Sequence, residues 1–342
     1  MRIVAALGGN ALLERGESPD SGIQLHHVVA AVEALAPLAD GNQVVVTHGN
    51  GPQVGLLALQ SATDASLSRP YPFDVLGAET QGMIGYWLLQ ALQNALSGRE
   101  VAALITQTLV SAADPAFADP TKFVGPVYEE VEAKRRAAAA GWTVKPDGPF
   151  WRRVVPSPAP RRIVEIGLIR RLFDAGAVVV CAGGGGVPVI RNDEGELEGV
   201  EAVIDKDATA ALLAEAVDAD VLLLLTDVTA VEIAYGTPEA RPITRTTPAF
   251  LRAQPFPSGS MGPKVEAVCR FVERTGRVAA IGALADAGAI LAGDAGTLVS
   301  PSGRYPGERL RTPKLEQDGR RRLRIQGQGI RLSPLARGDN EP

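Results

Sequence analysis

Cysteine and histidine are scarce in this chain of 342 residues, which contains two cysteines and three histidines. The few that occur do not have the paired spacing of zinc ligands, so we expect no structural zinc and no metal site built by the protein alone. Two cysteines cannot form a disulfide framework, and we interpret Cys181 and Cys269 as buried thiols of a reducing compartment.

Targeting and membrane signals are also lacking. Residues 1–12 have neither the basic start nor the cleavage site of a signal peptide, and no uninterrupted apolar run is long enough to span a bilayer. We therefore expect a cytoplasmic protein with no membrane contact. The chain carries a net charge of −5, and its last part, residues 303–342, holds ten Lys and Arg against five Asp and Glu. The remainder is thus strongly acidic, which argues against nucleic-acid binding.

Three common catalytic and nucleotide-binding motifs are missing as well. The chain has no G-x-x-x-x-G-K-[ST] sequence, which excludes a P-loop enzyme. Gly49 and Gly51 are followed by Val54 where a dinucleotide fingerprint needs its third glycine, which disfavours an NAD-dependent oxidoreductase. The absence of G-x-S-x-G argues against an α/β-hydrolase.

What the sequence does contain is a set of apolar strands that run into glycine or polar turns. The most extreme is AVVVCAGGGGVPVI at Ala177–Ile190, where a β-branched run ends in Gly183–Gly186. Similar turns follow strands within Ile3–Ala11, Val44–Gly55 and Leu222–Val228. One such stretch alone is compatible with a flexible connector. Four of them predict that uncovered backbone N–H groups meet at the carboxyl edge of a parallel sheet, where they bind an anion.

Alternation of strands and helices predicts an α/β fold with a doubly wound, mainly parallel sheet. Residues 1–302 form its domain, and the Pro-rich, charged stretch at about 112–160 is interpreted as a small protruding lid. Residues 303–342 are predicted to be a mobile basic tail, with a contact surface for a partner as the alternative. The predicted elements include helices at Val28–Ala39, Asp74–Leu96, Asp207–Val217 and Pro263–Thr275, and strands at Val101–Thr106 and Glu201–Lys206.

Three lysines stand beside turn-forming residues: Lys122, Lys206 and Lys264. A single lysine is usually a solvated surface residue. However, Lys206 and Lys264 lie where helices are predicted to begin, so the ammonium group and the positive end of the helix would act on the same anion. Phosphoryl transfer requires such neutralisation of a charged group in flight. Asp207 would either hold the lysines or touch a metal ion, or it is a plain helix-terminus residue.

Taken together, these segments resemble the amino acid kinase superfamily, and most closely the carbamate kinases. The resemblance covers about residues 1–300, in the order of the family. The segments that carry it are ALGGNAL at Ala6–Leu12, THGNGPQVG at Thr47–Gly55, TQGMIGYWL at Thr80–Leu88, DPTK at Asp119–Lys122, WRRVVPSP at Trp151–Pro158, GGGGVPV at Gly183–Val189, GVEAVIDKD at Gly199–Asp207, LLTDV at Leu224–Val228 and GSMGPKVEA at Gly259–Ala267.

The resemblance implies a three-layer α/β/α fold, a homodimer, and Mg²⁺ bound with ATP or ADP. It implies the reversible reaction of ATP and carbamate to ADP and carbamoyl phosphate, often used in arginine breakdown to make ATP. Carried over residue by residue, it assigns catalysis to Lys122, Lys206, Asp207 and Lys264. The implied substrate-binding residues are Gly8, Gly9, Asn10, Asn50, Gly51 and, near the lid, Arg152. The implied nucleotide-binding residues are Gly184, Gly185, Thr226, Asp227, Tyr235, Met261 and Pro263.

Two further positions bear on the chemistry. Phe123 follows Lys122 where the family usually has proline, which places the lid lysine and the choice of acceptor in question. His48 is interpreted as a structural histidine and not as a general base, because the oxygen of carbamate is already anionic. The alternatives are an enzyme of this fold acting on another small carboxylate or phosphate, and a non-catalytic nucleotide-binding regulatory protein.

Overall fold

The computed structural model describes residues 1–14, 16–257 and 259–304, without the side chain of Asn10. The predicted mobile tail therefore lies almost wholly outside the described residues. The helices are α1 (Ser21–Leu35), α2 (Gly51–Thr63), α3 (Phe73–Ala95), α4 (Glu130–Ala140), α5 (Ile166–Asp174), α6 (Lys206–Ala216), α7 (Pro248–Arg252), α8 (Met261–Thr275) and α9 (Ala287–Ala292). The strands are β1 (Arg2–Leu7), β2 (Gln43–His48), β3 (Val101–Ala103), β4 (Gln107–Leu109), β5 (Lys122–Tyr128), β6 (Thr143–Asp147), β7 (Phe150–Val155), β8 (Arg162–Ile163), β9 (Val178–Val180), β10 (Val187–Arg191), β11 (Leu197–Gly199), β12 (Val221–Thr226), β13 (Val231–Ile233), β14 (Arg241–Ile243), β15 (Arg245–Thr246), β16 (Val278–Ala283) and β17 (Thr297–Val299).

A large, mainly parallel sheet forms the centre of the molecule, in the order β15-β17-β16-β12-β1-β2-β9-β3. Strand β1 lies between β12 and β2 and is parallel to both, with Ala6 beside Leu224 on one side and Thr47 on the other. Strand β17 runs antiparallel to β16 near one edge. The predicted mainly parallel sheet is thus confirmed.

Helices cover both faces of this sheet, because its strands are apolar on both sides. Along β1, Val4 and Ala6 face a core shared with α5, α6, α7 and α8. Ile3, Ala5 and Leu7 face the opposite core, shared with α1, α3 and α9. This alternation follows from the two-residue period of a strand. The predicted three-layer α/β/α architecture is confirmed.

Helix α1 and the short 3-10 turn after it differ from the expectation that no apolar segment is long enough to span a bilayer. Residues Ser21–Ala39 are long and apolar enough to cross a membrane by length and composition, and 39% of the segment is buried within the protein. Val28, Ala31, Val32 and Leu35 pack into the core below the sheet. This packing accounts for the apolar side chains on the buried face of the helix.

The predicted lid region contains a three-stranded antiparallel sheet in the order β5-β7-β6, with α4 packed on it. Helix α4 is followed by Gly141, whose φ of +68° is the left-handed conformation that a terminating glycine supplies. A second sheet, β11-β10-β4-β8, lies elsewhere in the chain. The boundaries proposed for the lid remain predictions.

Three local expectations need correction. Helix α2 was not predicted, because Gly51, Pro52 and Gly55 resemble a turn, yet proline is tolerated in the first turn of a helix. The predicted strand Glu201–Lys206 is not a strand, since Asp205 caps α6 instead. The predicted strand Val101–Thr106 ends at Ala103, after which the chain joins the second sheet as β4.

Candidate active site

Turns from four adjacent parallel strands meet at the carboxyl edge of the central sheet, and those after β1, β2 and β9 contain glycine, whereas the turn after β12 is polar. Strands β12, β1, β2 and β9 are neighbours in that order. The N–H of Gly8 donates to the carbonyl of Leu225 at 2.7 Å, and the N–H of Gly49 donates to that of Leu7 at 3.0 Å. A Cβ on Gly49 would lie 2.8 Å from the nitrogen of Gly9. The first two glycine turns are therefore packed against each other at the backbone, as expected for one shared crevice.

Two largely buried ammonium groups meet on one carboxylate beside these turns. The Nζ of Lys206 lies 2.5 Å from Asp207 Oδ1, and the Nζ of Lys264 lies 3.0 Å from Oδ2. The side chain of Asp207 is only 5% exposed, and those of the lysines are 14% and 16% exposed. A Cβ on Gly49 would also be 3.3 Å from Lys206 Cδ, which ties this cluster to the glycine turns.

The cluster lies at helix N-termini, as the sequence predicts for both lysines. Lys206 is the first residue of α6, and Lys264 lies in the first turn of α8, which begins at Met261. Gly51 is the first residue of α2 and is separated from the end of β2 by Gly49 and Asn50. Each of these helix ends lies at the carboxyl edge of the sheet, so their partial positive charges favour an anion there.

Lys122 reaches the same region from the lid. Its Nζ lies 2.8 Å from Asp205 Oδ2, while Asp205 Oδ1 accepts the N–H groups of Asp207 and Ala208 at 2.9 and 3.1 Å. Asp205 is thus the N-cap of α6 and the partner of the lid lysine. It was not among the predicted site residues, because the predicted helix began at Asp207, two residues later; an aspartate directly before a helix is a capping signal. Phe123, the departure from the family pattern, pairs with Val154 in the lid sheet and leaves this contact intact.

Burial and charge oppose each other within the cluster. Burial would raise the pKa of Asp207, but the two ammonium groups outweigh it and lower that pKa to about 2. Burial lowers the pKa of Lys206, and the negative charge of Asp207 counters this. Burial would likewise raise the pKa of Asp205, but Lys122 holds it below its usual range. Both carboxylates therefore remain ionised beside the lysines.

The tetraglycine turn is more deeply enclosed than its sequence suggests. Gly185 and Gly186 donate their N–H groups back to Ala182 and Gly183 at 3.1 and 3.0 Å, so these two donors do not face a ligand. A Cβ on Gly184 would lie 2.2 Å from the amide nitrogen of Asn50. The expectation of uncovered N–H groups in this turn is wrong for Gly185 and Gly186, and the lack of side chains lets neighbouring groups approach closely.

The side chain of Asn50 is held by a hydrogen bond to α3. Its amide nitrogen donates to the hydroxyl of Thr80 at 2.8 Å, and Thr80 donates to the carbonyl of Gly77 at 2.8 Å. Both side chains are buried. Thr80 is a second residue that the sequence does not single out, because a contact between positions 50 and 80 requires the tertiary fold.

Of the predicted nucleotide-binding residues, Gly184 and Gly185 lie in the turn after β9, and the other five lie at the end of β12 or later in the chain. Thr226 ends β12, and its hydroxyl donates to Asp227 Oδ1 at 2.9 Å. Met261 and Pro263 are in the first turn of α8, next to Lys264. Tyr235 follows β13 and is 74% exposed. Their assignment to a nucleotide stays a prediction.

Comparison with known proteins identifies the family. A model of the amino acid kinase family matches residues 1–282. A carbamate kinase of Rhizobium meliloti is 55% identical over 88% of this chain and 94% of its own length, and one of Escherichia coli K12 is 50% identical over 87% and 99%. The structure of a Giardia lamblia carbamate kinase bound to AMP-PNP is similar with a TM-score of 0.80 and 40% identity, over 87% of this chain and 98% of that one. The chain belongs to the carbamate kinases of the amino acid kinase family.

Arg152 stands apart from the other residues that likeness to the carbamate kinases assigns. Its Nε donates to the carbonyl of Gly125 at 2.6 Å, and its guanidinium lies 3.5 Å from Asp147. Strand alternation places Arg152 and Arg153 on opposite faces of the lid sheet. Arg153 is the one that pairs with Val124, on the face that also carries Lys122. The substrate-binding role of Arg152 stays a prediction, and the fold gives it a contact within the lid.

His48 has the environment of a structural histidine in this carbamate kinase fold. It is 1% exposed, its Nδ1 lies 3.0 Å from the carbonyl of Gly49, and a Cβ on Gly183 would touch its ring. Burial lowers its pKa from 6.5 to about 4. The imidazole is therefore neutral near pH 7, and the contacts support a packing role.

This shift predicts a pH dependence of stability. Because the folded state binds the His48 proton with a pKa of about 4 and the unfolded chain with 6.5, unfolding takes up a proton between these values. The contribution is fully present above pH 6.5 and falls by about 3 kcal/mol as the pH drops to about 4. Urea unfolding at pH 7 and pH 4.5 should show that the free energy of unfolding falls less between these two pH values in His48→Asn than in the natural chain. The exposed His26→Asn is the control, and an equal loss in all three proteins would contradict the assignment.

Proposed function

We propose that this protein transfers a phosphoryl group reversibly between ATP and carbamate, giving ADP and carbamoyl phosphate. The observation that carries the proposal is the convergence of Lys206 and Lys264 on Asp207, at 2.5 and 3.0 Å, beside glycine turns and helix N-termini. A phosphoryl group in flight spreads negative charge over its oxygens, and preorganised cations and N–H groups stabilise that charge. High identity to carbamate kinases over most of both chains supports carbamate as the acceptor.

In this proposal the lysines contact the transferred group and Asp207 positions them. Lys206 and Lys264 neutralise the phosphoryl oxygens, and Lys122 closes over the acceptor side from the lid. Gly8, Gly9, Asn10, Asn50 and Gly51 form the cradle of carbamate and phosphoryl group. Carbamate is already an anion, so direct in-line attack needs no general base. Proximity and charge neutralisation then supply the rate.

We propose that Mg²⁺ enters with the nucleotide. Among the described residues, no group of three or more His, Cys, Asp or Glu side chains is arranged to hold a metal ion. This agrees with a magnesium ion that is coordinated mainly by phosphate oxygens and water, which is how this ion commonly binds in kinases. When bound, it would neutralise charge on the nucleotide phosphates, next to the proposed residues Thr226, Asp227, Tyr235, Met261 and Pro263 and the turn at Gly184 and Gly185.

The test is an ATP-forming assay with ADP, Mg²⁺ and a panel of acyl phosphates. We expect carbamoyl phosphate to give a kcat/KM at least about tenfold above acetyl phosphate, because the amino group of carbamate can donate hydrogen bonds that a methyl group cannot. A preference for another acyl phosphate would overturn the acceptor and retain the kinase. Nucleotide binding with no transfer to any acceptor would favour a regulatory protein.

We further propose a cytoplasmic homodimer that serves arginine breakdown, as the likeness to the family implies. The support for a dimer within the chain is a set of exposed apolar side chains on α1 and α3, two helices that pack together. Leu25 and Val29 are 37% and 43% exposed on α1, and Val75 and Tyr86 are 39% and 56% exposed on α3. Apolar side chains grouped on neighbouring helices are typical of a subunit contact.

A further inference from the structure

One face of the lid sheet packs on α2 and α3 of the main domain, called the body below, and the same face carries Lys122. Lys122 pairs with Val155, and Val124 pairs with Arg153. Cross-strand partners point to the same side, and so do residues two apart in a strand, so these four side chains share a face. Val124 and Val155 are buried in a small core with Val54 of α2, and with Phe73 and Leu76 of α3. The position of this face against α2 and α3 therefore sets where Lys122 can reach.

Arg153 joins this face to the body through its guanidinium. The guanidinium carbon lies 4.8 Å from the centre of the Phe73 ring, on the body, and 4.5 Å from that of Trp142, on the lid. Its Nη2 donates to Glu201 Oε1 at 3.0 Å, and its side chain is only 18% exposed. Glu201 also accepts the N–H of Phe73 at 2.8 Å, at the start of α3. The guanidinium of Arg153 is thus stacked between a ring of the lid and a ring of the body. It also donates a hydrogen bond to the carboxylate that accepts the first N–H of α3.

We propose that Arg153 is a positioning residue that fixes the lid where Lys122 reaches Asp205 and the reacting anion. The inference rests on the proposed function and adds to it a residue that touches neither substrate nor cofactor. A stacked, partly desolvated guanidinium is a strong link, since cation–π contacts strengthen as water is excluded and the planar group also donates a hydrogen bond to the carboxylate. Lys122, at 37% side-chain exposure, has one ionic partner among the described residues, Asp205, and so depends on the lid for its place.

The close approach of lid and α2 makes this link exacting. A Cβ on Gly55 of α2 would lie 3.0 Å from the Cα of Gly125 in β5, where the pairing of β5 with β7 shifts register. The two backbones therefore touch at the next position along the strand from Val124. Because the lid rests on α2 at this point, the contact of Arg153 would set the angle of the lid sheet relative to α2. A small change of that angle at β5 moves the Nζ of Lys122.

The test measures Arg153→Met and Arg153→Lys in ATP formation. We expect Arg153→Met to lower kcat about 10- to 100-fold with the KM for ADP changed less than twofold, because misplacement of a charged group by about 1 Å has effects of this size. Arg153→Lys should recover part of the loss, since an ammonium can pair with Glu201 but cannot stack as a plane on both rings. The matched control is Arg136→Met, which removes an arginine stacked on Tyr128 within the lid.

A double-mutant cycle separates positioning from a merely structural role. If Arg153 acts through Lys122, Arg153→Met should change kcat less than about twofold when Lys122 is already methionine. An equal loss in both backgrounds would overturn the proposal. If the midpoint of global unfolding also falls in Arg153→Met while the loss of kcat is the same in both backgrounds, the role of Arg153 is structural.

Hydrogen exchange gives a readout that needs no substrate. In Arg153→Met, amides of β5, β6 and β7 should exchange at least about tenfold faster, while those of β1, β12 and α6 stay unchanged. Unchanged exchange in the lid would overturn the inference whatever the reaction is. Faster lid exchange in a protein that prefers another acyl phosphate would overturn the acceptor and leave the role of Arg153 standing.

Discussion

Replacing Lys206 or Lys264 by alanine is expected to lower kcat for ATP formation by about 10²- to 10³-fold in each case, the usual effect of removing one preorganised charge-stabilising group. Each lysine contacts one oxygen of Asp207, so each single variant leaves that carboxylate with its other partner. The fold should therefore survive both single changes. The measurement is steady-state ATP formation from carbamoyl phosphate and ADP, with thermal unfolding recorded for each variant.

The double variant should behave differently in the two measurements. Removing both lysines leaves a buried carboxylate unpaired, which we expect to destabilise the fold by about 3–5 kcal/mol. The loss in kcat should be smaller than the product of the single losses, because the two groups act on one phosphoryl unit. The control is Lys145→Ala, which breaks an exposed lid pair with Asp119 at 2.6 Å. Near-natural rates in both single variants would remove Lys206 and Lys264 from the reaction.

The sequence was sufficient to predict the parts of the site that depend on local rules. Lys206 and Lys264 could be placed at helix starts because an aspartate, an alanine-rich run and a first-turn proline mark those starts. Buried strands that end in glycine marked the edge of the sheet where ligands bind. Both rules use only near neighbours in the chain, and the structure brings the two lysines onto one carboxylate, as required.

The remainder depended on distant pairing. Asp205 as the partner of Lys122 joins positions 83 apart, and Asn50 with Thr80 joins positions 30 apart. Arg152 and Arg153 are identical in type and adjacent, so only the register of β7 with β5 separates the outward residue from the one that clamps the lid. A slip of one residue would exchange their faces, and nothing local in the sequence fixes that register.

Replacing Gly49 by alanine is expected to lower kcat/KM by about 10²-fold or more, with a smaller effect on stability. The added Cβ would lie 2.8 Å from the nitrogen and 2.9 Å from the Cα of Gly9, and 3.3 Å from Lys206 Cδ. Backbone atoms cannot swing aside as a side chain end can, so the turn at Gly8 and Gly9 must shift. Overpacking of this kind costs about 1–3 kcal/mol of unfolding free energy, whereas a 1 Å displacement of reacting groups is far more damaging to the rate.

The design of this test depends on a glycine where the same methyl group meets nothing. Gly288, an exposed residue of α9, has no atom within 4 Å of an added Cβ. Gly288→Ala should keep the natural kcat/KM and raise the unfolding free energy by up to about 1 kcal/mol, because alanine is the better helix former. Both variants are compared by ATP formation and by urea unfolding. If Gly49→Ala keeps its activity, the contact between the first two glycine turns is not part of the reacting geometry, and the cradle must be sought elsewhere along the sheet edge.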